Sequence, residues 1–94
     1  MSIVVRYPVS LTRSQYDSVH KGLEESGSWP AAGCLLHVCF GDEGNLRVSE
    51  VWESQEQHAA FGATIGPRLE AAGIQMSGQP EVFEVVNFES FASA

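Results

Sequence analysis

The sequence is poor in positive charge. Five Lys and Arg residues stand against 12 Asp and Glu residues in a chain of 94, which gives a formal net charge of -7 at pH 7. A surface with this balance repels a polyanion over most of its area. We therefore expect neither nucleic acid nor an anionic membrane as a partner.

Cysteine is also scarce, and its two copies are Cys34 and Cys39. Both lie in one predicted strand, where a separation of five residues places them on opposite faces and about 16 Å apart. A disulfide cannot span that distance. With no CxxC pair, no signal peptide and no apolar run long enough for a transmembrane helix, the sequence indicates a cytoplasmic protein.

Familiar catalytic and metal-binding motifs are missing too. The histidines His20, His37 and His58 are scattered over two predicted helices and a strand, and neither HxH nor HxxxH occurs. A glycine-rich phosphate loop and a GxSxG motif are likewise absent. We therefore expect no metal site and no bound cofactor, with His20 at the surface and His58 packed and neutral.

What the chain does contain is the composition of a small globular domain. Hydrophobic residues make up 44% of it and charged residues 18%. At this length, folding hides roughly 60 to 65% of the surface of the unfolded chain. We expect a single domain over residues 1–94, and a core this small would benefit from a partner subunit.

Hydrophobic periodicity predicts six elements in the order β-α-β-β-α-β. The strands are predicted at residues 3–7, 34–40, 46–53 and 81–88. This order fits an α+β, ferredoxin-like βαββαβ sandwich, in which an antiparallel four-stranded sheet carries both helices on one face and the third strand lies between the first and second.

The helix limits follow from local signals. Thr12 with Gln15 and Ser54 with Gln57 form capping boxes that open the two helices. Gly27, followed by Pro30 and Gly33, ends the first helix. Gly66-Pro67 predicts a kink or a break in the second helix. Residues 89–94 carry little pattern and should form a flexible tail.

A turn at Asp42-Glu43-Gly44-Asn45 joins the second and third strands into a hairpin. With Glu43 and Gly44 at its centre, the predicted cross-strand pairs are His37 with Glu50, Leu35 with Trp52 and Cys39 with Val48. Because side chains alternate along a strand, these six residues share one face.

The apolar residues of the second strand suggest which face meets the helices. Cys34, Leu36, Val38 and Phe40 are uniformly apolar, so we assign them to the helix side. The opposite face, with His37, Glu50 and Trp52, is too apolar for water and too polar for an ordinary core. A second copy of the sheet packed against it would form a barrel-like homodimer with a pocket for a small ligand inside.

The run HVCFGDEGNLRVSEVWESQEQHAAF, with VRYPVSLTRSQYD before it and PEVFEVVNF after it, resembles the dimeric α+β barrel proteins of the antibiotic biosynthesis monooxygenase superfamily, especially small bacterial members. The resemblance extends over nearly the whole chain. It implies a ferredoxin-like homodimer that binds a small molecule. The superfamily includes cofactor-independent oxygenases of polycyclic phenols, haem-degrading enzymes, isomerases and decarboxylases, so the resemblance does not select one reaction. It implies that His37 and Trp52 are interior pocket residues.

Two residues are candidates for catalysis. His37 could act as a general acid or base whose tautomer is set by Glu50, or the two could form a structural hydrogen bond. Glu50 could instead form an ion pair with Arg6 on the first strand.

The remaining residues of the predicted pocket face are candidates for substrate binding. They are Trp52, which could stack on a planar ring or fill a dimer core, together with Leu35, Cys39, Val48 and Arg6. We choose Arg6 over Tyr7 because Tyr7 shares a face with Ile3 and Val5, which we expect on the helix side. A Cys39–His37 pair is geometrically possible, although a thiolate requires a base or a cationic setting.

Two functions follow from these features. The first is a cofactor-independent monooxygenase or isomerase acting on a small planar phenolic or enolic compound. The second is a homodimer that binds a metabolite, or serves as a structural module, without catalysis.

Overall fold

The structure, a computed structural model, describes residues 1–91 and has the predicted order of elements. The strands are β1 (Ile3–Arg6), β2 (Cys34–Phe40), β3 (Arg47–Trp52) and β4 (Glu81–Glu84), and the helices are α1 (Arg13–Glu25) and α2 (Gln55–Ala71). The sheet order is β2-β3-β1-β4, with each pair of neighbours antiparallel. The ferredoxin-like α+β fold is therefore confirmed, including the position of β3 between β1 and β2.

The predicted cap of α1 is present in full. The Thr12 side chain accepts from the Gln15 N–H at 3.1 Å, and the Gln15 side chain accepts from the Thr12 N–H at 3.0 Å. At the other end Gly27 has a φ of 75°, and the Ser28 N–H donates to the Leu23 carbonyl at 2.9 Å. Because glycine tolerates this left-handed conformation, the chain reverses there without strain.

Helix α2 differs from its prediction in two ways. The Ser54 side chain caps the Gln57 N–H at 3.2 Å, but the Gln57 side chain contacts the side chains of Ser54 and Glu53, so only half of the box forms. The predicted break at Gly66-Pro67 is wrong, since the helix continues through Pro67 to Ala71. Proline deprives the Ala63 carbonyl of its helical donor, and Ala63 is exposed, so water can replace that donor.

The hairpin has the predicted turn and most of the predicted register. The Asn45 N–H donates to the Asp42 carbonyl at 2.8 Å, and Gly44 adopts a φ of 85°. His37 lies opposite Glu50 and Cys39 opposite Val48, as predicted. The prediction for Leu35 is wrong, because a bulge between Cys34 and Leu36 places Cys34 opposite Trp52. The extra residue leaves Leu35 46% exposed.

For β2 and β3 the two faces are the reverse of the assignment made from the sequence, whereas Ile3 and Val5 of β1 lie on the helix side, as predicted. On β1, Ile3 pairs with Trp52 and Val5 with Glu50, and these four residues form a buried side that faces the helices. Trp52 and Val5 are fully buried, and Glu50 is only 3% exposed. Because residues directly paired across a ladder point the same way, the register between β1 and β3 ties Glu50 to the core.

The residues assigned to the helices instead form an open face. Leu36, Val38 and Phe40 are 40–42% exposed, and Phe83 on β4 is 52% exposed. Cys34 leaves this set because the bulge turns it toward the core, where it packs against the buried cluster. The helices thus cover the side that carries Glu50 and leave the apolar side chains of Leu36, Val38, Phe40 and Phe83 uncovered.

The C-terminal part is less regular than predicted. Strand β4 ends at Glu84, whereas the sequence predicted a strand to residue 88, and residues 85–91 have no helix or strand. Val86 is fully exposed. Of the predicted tail at 89–94, residues 92–94 lie outside the described part. Neither helix within residues 1–91 has the length and apolar character needed to cross a membrane.

Candidate functional site

A buried carboxylate lies at the centre of the side of the sheet that faces the helices. Glu50 accepts the Tyr7 hydroxyl at 2.7 Å and the Trp52 Nε1–H at 3.0 Å on one oxygen, and contacts His37 Nδ1 at 2.7 Å on the other. Tyr7 comes from the end of β1, His37 from β2 and Trp52 from β3. Three strands therefore deliver three donors to a single side chain.

These contacts determine whether Glu50 is charged. Burial raises the pKa of this carboxyl, but the hydrogen bonds from His37, Tyr7 and Trp52 outweigh that effect and leave the pKa below its ordinary value. Glu50 is consequently a carboxylate at neutral pH. A charge buried in this way persists only because each oxygen has donors.

The carboxylate also sets the tautomer of His37. An ionised Glu50 can only accept, so Nδ1 of His37 must carry a hydrogen and donate it. In the neutral ring Nε2 is then an acceptor, and the Tyr16 hydroxyl lies 2.7 Å from it. Tyr16, His37 and Glu50 thus form a chain of two short hydrogen bonds, with the arrangement of a hydroxyl, a histidine and an orienting carboxylate.

A second branch leads from Glu50 to α2. Because the single Tyr7 hydrogen is donated to Glu50, the Tyr7 oxygen accepts from His58 Nε2, 2.8 Å away. Burial lowers the pKa of His58, with a smaller opposing effect from Glu50, so the ring is neutral at pH 7. The prediction of a packed, neutral His58 is confirmed. Burial, assisted by the charge of Glu50, also raises the pKa of Tyr7 far above its ordinary value.

A cavity of about 90 Å³ lies between this network and the helices. His37, Glu50, Tyr7 and Tyr16 are among the residues that line it, but their polar atoms are hydrogen-bonded to one another and the exposed wall is almost entirely apolar. The lining also includes Val9, Leu11, Val19, His20, Leu23, Trp29, Val48, Phe61, Ile65, Leu69, Ile74 and Met76. An apolar cavity with a few convergent polar groups is the usual form of a small-molecule site.

The predicted site residues divide into two groups. His37, Glu50 and Val48 line the cavity, but the cavity lies inside one subunit and not between two sheets. Trp52 is buried behind it, against Phe61 and His58, and reaches the site only through its hydrogen bond to Glu50. Leu35 is exposed at the bulge and is not part of the lining.

Arg6 and Cys39 also lie outside the cavity. Arg6 faces a separate polar groove with Arg47 and Glu81, so the proposed Arg6–Glu50 ion pair is wrong. Since side chains alternate along β1, Arg6 points away from Val5 and hence away from Glu50. The Cys39 thiol does not engage His37, because both ring nitrogens are bound to Glu50 and Tyr16.

Four residues of the cavity wall were either not predicted from the sequence as site residues or were predicted at another location. Tyr7 lines the cavity, a position that was predicted for Arg6. Tyr16 lies with Val19 on the side of α1 that faces the cavity, and its hydroxyl is unusual on that side. Trp29 stands edge-on to His37, with ring centroids 4.9 Å apart. His20, expected at the surface, is half-buried and stacks on Tyr16 at 5.6 Å.

The described residues also include two free thiols. Burial raises the pKa of the Cys34 thiol to about 11, with a further contribution from the charge of Glu50. Burial also raises the pKa of Cys39. Both are therefore thiols at neutral pH, a state that disfavours a nucleophilic role. Within residues 1–91, no group of three His, Cys, Asp or Glu side chains has the arrangement of a metal site.

Comparison with known proteins identifies the fold. No model of a protein family matches the sequence, and no curated protein matches it either. Among solved structures, the chain resembles a proposed antibiotic biosynthesis monooxygenase from Chloroflexus aurantiacus, with a TM-score of 0.59 and 18% identity over 97% of both chains. It also resembles SnoaB, a cofactor-independent oxygenase from Streptomyces nogalater, with a TM-score of 0.58 and 17% identity over 93% of both chains.

A third similar structure contains a ligand. It is the monooxygenase from the gene ActVA-Orf6 of Streptomyces coelicolor in complex with nanaomycin D, with a TM-score of 0.50 and 20% identity over 99% of this chain and 91% of that one. The chain therefore has the fold found in structures of the antibiotic biosynthesis monooxygenase type, as the resemblance in the sequence implied.

Proposed function

We propose that this chain is a small-molecule-binding protein that acts as a cofactor-independent monooxygenase or isomerase on a small planar phenolic or enolic compound. The observation that carries the proposal is the chain of 2.7 Å contacts from Tyr16 through His37 to Glu50 at the wall of an apolar cavity. It holds one basic nitrogen, in a tautomer set by Glu50, against the Tyr16 hydroxyl and beside a space suited to hydrocarbon.

In the proposed reaction His37 Nε2 takes the proton of the substrate hydroxyl. Glu50 accepts the Nδ1–H throughout and stabilises the imidazolium that forms. Trp29 and Phe61 hold the ring of the substrate, a role that the sequence had suggested for Trp52 and Leu35. The apolar wall excludes water and makes the resulting anion electron-rich.

The anion can then follow two routes. For the enol of an activated methylene group, dioxygen oxidises the carbon, so that CH₂ and O₂ become C=O and H₂O. In an isomerase the proton held by His37 returns to a different atom of the same molecule. The fold shared with a cofactor-independent oxygenase supports the first route, and the complex with nanaomycin D supports a small-molecule ligand.

The partner proposed for this chain is a second copy of itself. The open face, defined by Leu36, Val38, Phe40 and Phe83, is exposed and apolar in one subunit. Contiguous apolar surface of this kind is typical of an interface. We therefore still propose a homodimer, and its interface is the open face, which is the opposite face of the sheet from the one expected from the sequence.

The decisive experiment measures oxygen consumption with a panel of quinol-type and enolic compounds. His37→Ala should lower turnover by at least about a hundredfold, because general base catalysis contributes roughly that much. Cys39→Ser, two residues further along β2 and outside the cavity wall, is the matched control and should retain activity. Equal turnover in His37→Ala and the parent protein would remove His37 from the mechanism.

A non-catalytic binding dimer is the second candidate, and one observation favours it. Within residues 1–91, every buried polar side-chain atom has a hydrogen-bond partner. A network that is already complete can be purely structural. Saturable binding of phenols without oxygen uptake or isomerisation across the panel would support this function over the enzyme.

A further inference from the structure

The hydroxyl of Tyr16 is hydrogen-bonded to Nε2 of His37, the nitrogen that the proposed reaction requires as its base. We propose that Tyr16 is an internal substitute for the substrate hydroxyl, so that the site admits phenols and enols that are stronger acids than tyrosine. This inference rests on the proposed function, since it assumes that ligands bind at His37. It adds a substrate class and a role for a residue of α1.

The hydrogen bonds of His37 leave one position for a ligand. Nδ1 is committed to Glu50 at 2.7 Å, and Nε2 accepts from Tyr16 at 2.7 Å. A neutral imidazole has a single acceptor nitrogen. A substrate hydroxyl can therefore reach the base only by replacing the Tyr16 hydroxyl, with one phenolic O–H exchanged for another.

The size of the cavity supports the same exchange. Its volume is about 90 Å³, whereas a cavity of roughly 150 Å³ in another protein accommodates benzene. The space as it stands is thus too small for an aromatic ligand. Rotation of Tyr16 out of the cavity would free the volume of one phenol ring beside Nε2.

Tyr16 is placed where such a rotation is feasible. It lies in the second turn of α1, whose start is held by the complete capping box at Thr12. Its side chain is half-buried, and its ring stacks on His20 and His37 with centroids 5.6 and 5.9 Å away. The ring can turn about its own side-chain bonds while the helix stays fixed.

The acidity of the ligand hydroxyl determines whether it replaces the Tyr16 hydroxyl at Nε2 of His37. A phenol with the acidity of tyrosine gains no hydrogen-bond energy when it replaces Tyr16. A stronger acid forms a stronger bond to Nε2 and can transfer its proton to it. Burial raises the pKa of Tyr16 above its ordinary value, which keeps this residue a weak competitor. Hydroxyquinones and enols of 1,3-dicarbonyl compounds have the required chemistry.

The test compares 4-nitrophenol with 4-methylphenol, which has a similar shape but is much less acidic. Binding is followed by absorbance under nitrogen, at a pH where free 4-nitrophenol is mostly protonated. The parent protein should bind 4-nitrophenol at least about tenfold more tightly and shift it to its visible anion band. His37→Gln should abolish that band, since Gln cannot take up the proton.

Tyr16→Phe removes the competing hydroxyl but keeps the ring. Losing one hydrogen bond should tighten binding of both phenols by the same factor, roughly threefold to tenfold, with their affinity ratio unchanged. Ser18→Ala removes an exposed hydroxyl from the outer side of α1 and is the matched control. Its affinities should equal those of the parent protein.

Two results would overturn the inference. Unchanged affinities in Tyr16→Phe would mean that Tyr16 does not compete for Nε2. Weaker binding of 4-nitrophenol would mean that Tyr16 donates to the bound ligand. A different result would refute the proposed function alone. If oxygen uptake and isomerisation are absent while Tyr16→Phe tightens binding, the site binds phenols without catalysis and Tyr16 keeps the inferred role.

Discussion

The two faces of the sheet differ in a way that reverses the ordinary rule of burial. The side facing the helices carries a carboxylate, a histidine and a tyrosine, yet Glu50 is 3% exposed. The open side carries Leu36, Val38 and Phe40, each at least 40% exposed in one subunit. The charged carboxylate is covered, whereas these three apolar side chains are not.

The difference shows which physical requirement governs each side. Glu50 is buried because Tyr7, Trp52 and His37 replace the water that it loses. Leu36, Val38 and Phe40 on the open side have no polar group to satisfy, so their burial requires only another apolar surface. The first side is therefore suited to chemistry and the second to association.

The largest expected effect comes from the carboxylate itself. Glu50→Ala should lower the free energy of unfolding by about 3 to 5 kcal/mol, because it leaves one buried and two partly buried donors without an acceptor. Urea denaturation at fixed protein concentration measures this loss. Glu70→Ala, at an exposed position of α2, should change stability by less than about 0.5 kcal/mol. Similar losses in both variants would show that the network contributes little.

A charge on the open side should affect assembly and not folding. Val38→Asp places a carboxylate in the proposed interface and should weaken dimerisation at least about a hundredfold, since a buried unpaired charge is strongly unfavourable. Light scattering should show a dimer for the parent protein and a monomer for the variant. Ala63→Asp, on the exposed part of α2, should remain dimeric. A parent protein that is monomeric at micromolar concentration would refute the interface.

The Tyr7–His58 branch should make stability depend on pH. Burial holds the pKa of His58 below its ordinary value of 6.5, so the unfolded chain binds a proton more readily than the folded one. Stability is therefore lost as pH falls below about 6.5. His58→Gln retains an N–H donor for Tyr7 but does not titrate, and its stability should vary less between pH 5 and 7. An identical pH profile in both proteins would contradict a buried, neutral His58.

The smallest effect is expected at the bulge. Leu35 was predicted to line the pocket, but its exposure places it outside both the core and the cavity. Leu35→Ala should change the affinity for phenols by less than about twofold and the stability by about 0.5 kcal/mol. Leu23→Ala, at a buried position lining the cavity, should cost about 2 to 5 kcal/mol. Thermal denaturation separates the two cases.

Much of the fold could be predicted from local signals, whereas the site could not. Caps, turn residues and strand alternation act over a few neighbours, which is why Thr12, Gly27 and the pairing of His37 with Glu50 were predictable. The position of Tyr7 depends on how β1 aligns with β3, and that of Trp29 on how a loop folds over the sheet. Neither arrangement leaves a short-range pattern.

The sequence by itself determined the order of the elements, the ends of α1 and, apart from Cys34 and Leu35 at the bulge, the residues that share a face in the hairpin, because each follows from local backbone and side-chain chemistry. Only the tertiary structure decided which face the helices cover. Alternation along a strand shows which residues share a face, but it does not show which of the two faces packs against the helices. That choice depended on whether distant residues could satisfy a buried charge and its partner, and Tyr7 does so for Glu50 and Tyr16 for His37.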